Sequence, residues 1–267
     1  MASRIIERGL LATGAALVAA ALTALHSAPA YAASDEIQVY LDDVNKRGER
    51  SLELHMNYVP RGRFEPEYPG EQPPAHILRL TPEFSFGLGN NGDWGLYLPF
   101  AANKDTESLF ADGFKVRLKH VVSTEREGGS DFYGANLEVA HASRRTSPAY
   151  WRTELRGMLG MRRGEWLFAM NPILSTPLTA SVAGSGVELT LAFKAGREVG
   201  RGVALGVEHY SELGPVTRPV FGPDSAQTTF AIFEWAGKKF DINFGIGHGW
   251  TEASDKRVIK MIVGLPF

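Results

Sequence analysis

The side chains that could do chemistry in this chain are charged residues set two apart between apolar ones. Lys115, Arg117 and Lys119 alternate with Phe114, Val116 and Leu118. Arg79 and Glu83 share one parity, opposite to Leu78, Leu80 and Phe84. Glu53, Glu138, Arg152, Glu154, Arg156, Glu188, Lys194 and Glu208 follow the same rule in other segments, as do Glu234, Asp241 and Lys260. Period-2 spacing places all the charges of one segment on one face of a strand. Two kinds of chemistry suit such a face. Opposite charges can pair and fill an interior, or they can form a charged constriction that selects solutes.

Other chemistry is thinly represented. There is no G-x-S-x-G elbow and no H-E-x-x-H pair, so no catalytic or metal-binding residue is assigned. Asp42, Asp43 and Asn45 lack the spacing of a calcium loop and read as a solvated turn. In His209-Tyr210-Ser211 the imidazole and the hydroxyl share a face, without an obvious third member. An outward His–Ser pair near an outer rim is what a lipid-modifying membrane enzyme requires, and His141, His209 and His248 are the histidines to consider. With no cysteine, thiol chemistry, disulfides and a lipid-modified Cys are excluded. No cofactor is implied.

These faces need strands to hold them. Alternation predicts twelve, near 51–58, 77–88, 94–100, 113–122, 131–141, 149–160, 165–173, 186–195, 202–210, 228–235, 240–249 and 257–267. Pro82 predicts a bulge or break in the second. Short connections such as NNGD (90–93), MRRG (161–164), GREVGR (196–201) and AGKK (236–239) alternate with longer ones. Tight periplasmic turns and long outer loops are the rule in outer-membrane barrels. Tyr58, Trp94, Tyr97, Tyr150, Trp151, Trp166, Tyr210, Trp235 and Trp250 lie near strand ends, where amphipathic rings settle at membrane interfaces. The last strand alternates through Ile259, Met261, Val263 and Leu265 to Phe267. The fold class expected is therefore all-β, a closed antiparallel up-and-down transmembrane barrel of about twelve strands.

The N-terminus has Arg4 and Arg8, an apolar core from Leu10 to Leu25, and Ala30-Tyr31-Ala32. This reads as a signal peptide of residues 1–32, cut after Ala32. Residues 33–50 then form a polar periplasmic segment, and 51–267 the barrel. Without the leader, 26 basic and 29 acidic residues remain, so no nucleic-acid partner is expected. The expected partners are outer-membrane lipid, the barrel assembly machinery and a small-molecule solute.

The stretches EIQVYLDDVNKRGERSLELHMNYVPRGR and LTPEFSFGLGNNGDWGLYLPF, with the terminal Phe267, resemble a family of proteobacterial outer-membrane barrels described as transporters and similar to the MetA-pathway phenol-degradation group. The resemblance implies passage of small, aromatic solutes, and it implies that Phe267 is an assembly signal. Three functions stay open: a passive channel through a narrow charged lumen, a lipid-modifying enzyme with a rim His/Ser site, and a structural or adhesive barrel.

Overall fold

The computed structural model describes residues 35–266 apart from 183 and 185. The leader (1–32) and Phe267 lie outside the described residues.

Among the described residues, fourteen strand segments run in chain order. They are β1 (Arg50–Arg61), β2 (Ile77–Gly89), β3 (Gly92–Tyr97), β4 (Phe100–Asn103), β5 (Ser108–Ala111), β6 (Phe114–Arg126) and β7 (Gly129–His141). The rest are β8 (Trp151–Arg163), β9 (Trp166–Pro177), β10 (Glu188–Gly200), β11 (Val203–Pro215), β12 (Ala226–Ala236), β13 (Asp241–Gly249) and β14 (Arg257–Pro266). Every pairing is antiparallel, and β1 pairs with both β2 and β14, so the sheet closes. β3 and β4 both pair with β2 in one register and make a single interrupted strand. β5 and β6 pair with β4 and β3 in the same way. The barrel therefore has twelve strands.

The interruption does not fall inside β2, which runs unbroken through Pro82. It falls on the neighbouring strand at Leu98-Pro99, beside Pro82. Neither proline carries an N–H for the ladder, and Leu98 N–H still donates to the Pro82 carbonyl at 3.0 Å. The next strand answers with an extra residue at Asp112-Gly113. Gly113 takes φ +94°, and a Cβ there would overlap the His141 carbonyl. This bulge aims Asp112 inward at Arg79, 2.8 Å away.

The short turns are shorter than the sequence suggests. MRRG and GREVGR are largely strand, and chain reversal takes two residues. Asn90 and Asn91 have φ 52° and 60°, and Arg201 and Gly202 have 58° and 73°. Left-handed pairs of this kind give the twist that closes two-residue hairpins. Charged residues at strand ends had read as loop.

The outer wall is apolar. Leu118, Leu137, Leu155, Leu159, Leu205 and Ile246 are all exposed, whereas Arg117, Glu138, Lys194 and Glu208 on the opposite parity are buried. Apolar-out and polar-in is the pattern of a barrel surrounded by lipid. The chain has the fold of an outer-membrane β-barrel. By the rule for such barrels, the end with short turns is the periplasmic one and the end with long loops the outer one. Tyr97 and Tyr210, expected at the interface, depart from this. They share the parity of Asp93 and Glu208 and point into the lumen.

At the outer end, the loop after β1 is tied to the loop before β14. Arg63 N–H donates to Asp255 Oδ1 at 3.2 Å, and the Arg63 guanidinium is held by Glu71 at 2.8 Å. Burial pushes the Asp255 carboxyl up to about 6, against the pull of Arg63. A raised carboxyl favours the folded contact while it stays protonated, so the stabilisation is full below about pH 4 and is lost as pH passes 6. Amides 62–64 and 254–256 should exchange hydrogen more slowly at pH 5 than at pH 7.5, after correction for intrinsic rates. Equal protection at both would contradict this linkage.

Candidate functional site: a self-plugged lumen

Residues 35–49, expected in the periplasm, thread the interior of the barrel instead. The segment touches opposite walls at once. Lys260 of β14 donates to the Ile37 carbonyl at 3.1 Å, and Arg156 of β8 to the Gln38 carbonyl at 2.9 Å. Lys115 of β6 meets Glu36 at 2.6 Å and Asp35 at 3.4 Å. Nearer the periplasmic mouth Arg162 pairs with Asp42, and Lys119 with Asp43 at 3.6 Å. Gly48 N–H donates to the Gly87 carbonyl at 3.1 Å, where the segment turns into β1. A Cβ on Gly87 would overlap the Lys46 carbonyl, so only glycine lets the chain cross there.

The segment alternates as a strand does, yet pairs with none. Its apolar residues use two apolar patches of the inner wall. Val39 packs with Val121, Phe132, Met158 and Ala192. Ile37 packs against Val59, Phe230, Ile232 and Val258. Burying Val39 contributes roughly 1.5–3 kcal/mol, and the half-buried Ile37 contributes less. Phe132 fits inside because Gly160 faces it, and a Cβ on Gly160 would overlap the ring.

Tyr40 is the centre of the obstruction. Its amide donates to Asn171 Oδ1 at 2.6 Å, and Asn171 Nδ2 donates to its carbonyl at 3.1 Å. The Asn171 carboxamide thus stands in for the missing neighbouring strand and satisfies both buried backbone groups. The Tyr40 hydroxyl donates to Glu138 Oε1 at 2.9 Å and lies 2.9 Å from the Tyr97 hydroxyl. The Arg156 guanidinium sits 4.1 Å from the ring centroid, a cation–π contact.

The charged residues picked out by parity meet partners along the inner wall, mostly on the same or a nearby strand. Arg117 pairs with Glu83 at 2.8 Å, and Arg156 with Glu154 at 2.9 Å. Lys115 also reaches Glu138 at 3.2 Å, and Arg152 lies 3.8 Å from Glu188. Lys194 bridges Glu208 at 3.6 Å and Glu234 at 2.6 Å. Lys260 meets Glu208 at 2.5 Å with both side chains fully buried. Glu53 lies 3.6 Å from His55, which is 3.0 Å from Glu83. That trio has ligand atoms close enough for a cation, but Arg117 already bonds Glu83.

Sequence reasoning missed the segment itself, Asn171, Tyr97, Asp93 and Asp112. The Asn-Pro step at 171–172, inside an inward-facing run, was the one local signal for a polar group placed with purpose.

The segment divides the lumen in two. The outer cavity is about 520 Å³ and the periplasmic one about 800 Å³, and Gln38 lines both. Among the described residues, the outer cavity is lined by nine carboxylates against six lysines and arginines. The periplasmic cavity has six against three. The wall charges nearly balance by parity, and the excess comes from Asp35, Glu36 and Asp43 of the segment and from loop acids.

No protein-family model matches the chain, and no curated protein matches it in sequence. Among solved structures, an outer membrane channel from Pseudomonas putida F1 is similar over 87% of this chain and 100% of that one, with a TM-score of 0.57 at 10% identity. The KdgM porin covers 81% and 99%, at 0.49 and 12%. Outer membrane phospholipase A from Escherichia coli covers 83% and 97%, at 0.43 and 12%. At these identities the likeness is one of fold.

Proposed function

We propose that the protein is a passive outer-membrane channel for small solutes, held shut by its own N-terminal segment. The observation that carries this is the placement of residues 35–45 between two water-accessible cavities of one lumen. A barrel built only for rigidity needs no cavities, and an open pore needs no plug. The segment is fastened mainly by hydrogen bonds and ion pairs to the wall, which water can replace when it leaves.

The excess of carboxylates on both sides favours cations over anions, because confined charge of one sign concentrates counter-ions. The resemblance to the MetA-pathway phenol-degradation group adds small aromatic molecules as cargo. An aromatic ring on the pathway suits the rings of Tyr40 and Tyr97, which the cargo would replace against Arg156 and Lys115.

The test is single-channel recording in planar bilayers. The intact chain should be nearly silent. Rare openings of the intact chain, which keeps Asp35, Glu36 and Asp43, should show a reversal potential that prefers potassium over chloride. A variant lacking residues 35–45 should conduct in steady steps. Equal conductance of the two would contradict the plug, and anion preference would contradict the charge argument.

A further inference from the structure

Four polar side chains form a cluster on the outward face of β11 and β12, where a channel has no use for them. His209, Gln227 and Thr229 are half-buried, and Ser211 is 9% exposed. Leu205 and Val207 precede His209 and Ser211 on the outward face of β11, and Ser211 lies four residues before the strand ends at Pro215. His209 Nε2 is 3.0 Å from Ser211 Oγ, and Nδ1 is 2.8 Å from Thr229 Oγ1 on β12. Gln227, opposite Ser211, has Oε1 at 2.6 Å from Ser211 Oγ and 3.0 Å from His209 Nε2. The indole N–H of exposed Trp250 donates to Thr229 Oγ1 at 2.9 Å. Polar groups on a lipid-facing surface are costly and call for a purpose.

A second feature ends at the same histidine. A shallow groove of about 400 Å³ runs across the outer wall over β8 to β11. Its sides are Leu159, Met161, Phe168, Met170 and Phe193, with small Ala195 between them, and His209 stands at its end. Phe193 is directly opposite His209 in the sheet. An apolar trough open to lipid suits an acyl chain, and it would bring the chain's ester beside the imidazole.

We propose that His209 and Ser211 form a catalytic pair that hydrolyses fatty acyl esters of membrane lipids bound along this groove. The roles follow from the distances. At rest Nε2–H of His209 donates to Gln227 Oε1 at 3.0 Å, because a bare Nε2 would set two acceptors against each other. Once Gln227 turns away, the Nδ1–H tautomer donates to Thr229 Oγ1 and leaves Nε2 free to accept the Ser211 proton. The Ser211 hydroxyl, which donates to Gln227 Oε1 at rest, then turns its proton to Nε2 by rotation about its Cβ–Oγ bond. Oγ then attacks the ester carbonyl carbon while Nε2 takes the proton. The carbon–oxygen bond to the lipid alcohol breaks, and the imidazolium returns the proton to the leaving oxygen. Water, deprotonated by His209, attacks the acyl-serine, releases the fatty acid and restores the hydroxyl. The Gln227 carboxamide supplies N–H groups to the oxyanion after turning away from Ser211. Ser225, which accepts from Gln227 Nε2 at 2.6 Å, fixes its resting orientation.

The test uses the full chain refolded in detergent and treated with a long-chain alkyl fluorophosphonate, with the labelled site read by peptide mass. Ser211 should be labelled, and His209→Asn should reduce the labelling rate at least 100-fold while the melting temperature and folded fraction stay close to those of the parent. Fatty acid release is then measured on phosphatidylethanolamine vesicles and on lipopolysaccharide in separate arms, with Ser211→Ala as the blank. Release from one arm only identifies the lipid class. Absence of labelling together with release no greater than the Ser211→Ala blank in both arms overturns the proposal, and so does equal labelling of the His209→Asn variant. The channel reading rests on the lumen and is unaffected by either result.

Discussion

Replacing Glu208 by alanine is expected to destabilise the barrel by about 3–5 kcal/mol, the cost of leaving a buried ion without its partner. Glu208 sits between Lys194 and Lys260, all three within 2% of complete burial, and also accepts from the Tyr210 hydroxyl at 2.6 Å. Its removal leaves two ammonium groups facing each other across β10, β11 and β14. Lys194 keeps Glu234 at 2.6 Å, but among the described residues Lys260 keeps no carboxylate within reach, just the Ile37 carbonyl and the Phe230 ring 5.5 Å from its Nζ. Removing both charges of the stranded pair, as Glu208→Leu with Lys260→Leu, should therefore cost less than Glu208→Ala alone. Equilibrium unfolding in urea with lipid vesicles measures both. A single-variant loss under about 1 kcal/mol, or a double variant worse than the single, would show that these charges are effectively solvated.

The second large effect concerns Tyr40. A hydrogen bond to a charged group contributes about 1.5–3 kcal/mol, and each 1.4 kcal/mol changes an equilibrium about tenfold. Tyr40→Phe removes the bond to Glu138 and keeps the ring over Arg156, so the open-to-closed ratio should rise about ten- to hundredfold. Tyr40→Ala also removes the ring and its cation–π contact, which adds about 0.5–2 kcal/mol and widens the passage between the two cavities. Open probability should rise further, and conductance with it. Single-channel records separate these. Unchanged open probability in both variants would mean that Tyr40 is not what holds the plug. Equal effects would assign the hold to the hydroxyl alone.

The wall of the barrel was legible because each strand carries its own instructions. The alternation from Phe114 to Lys119 is enough to decide which side meets lipid, and the two asparagines at 90–91 are enough to reverse the chain. The plug was not legible. Ile37, Val39 and Leu41 alternate with Glu36, Gln38 and Tyr40, but their partners lie on β6, β8, β9 and β14, up to 223 residues away. Nothing local encodes such contacts, and a polar stretch before the first strand reads as solvated. The outer site was half legible. The spacing of His209 and Ser211 puts them on one face, whereas Thr229 and Gln227 arrive only through the register of β12. The break at Pro99 was displaced from Pro82 because a proline burdens its neighbour's ladder as well as its own.

The segment's attachment has a kinetic consequence. It is joined to β1 through Gly48, which has φ +83° and open space around it. A released plug is still part of the chain, and its thirteen residues from Glu36 to Gly48 reach at most about 45 Å when extended. A tether of that length keeps the segment at an effective concentration of about millimolar beside the mouth it left. Reclosure is then a first-order event whose rate does not depend on how many copies share the membrane. A free peptide of the same sequence would need to approach millimolar to compete with it. Each opening is limited in duration by the chain that opened, with no second protein required to end it.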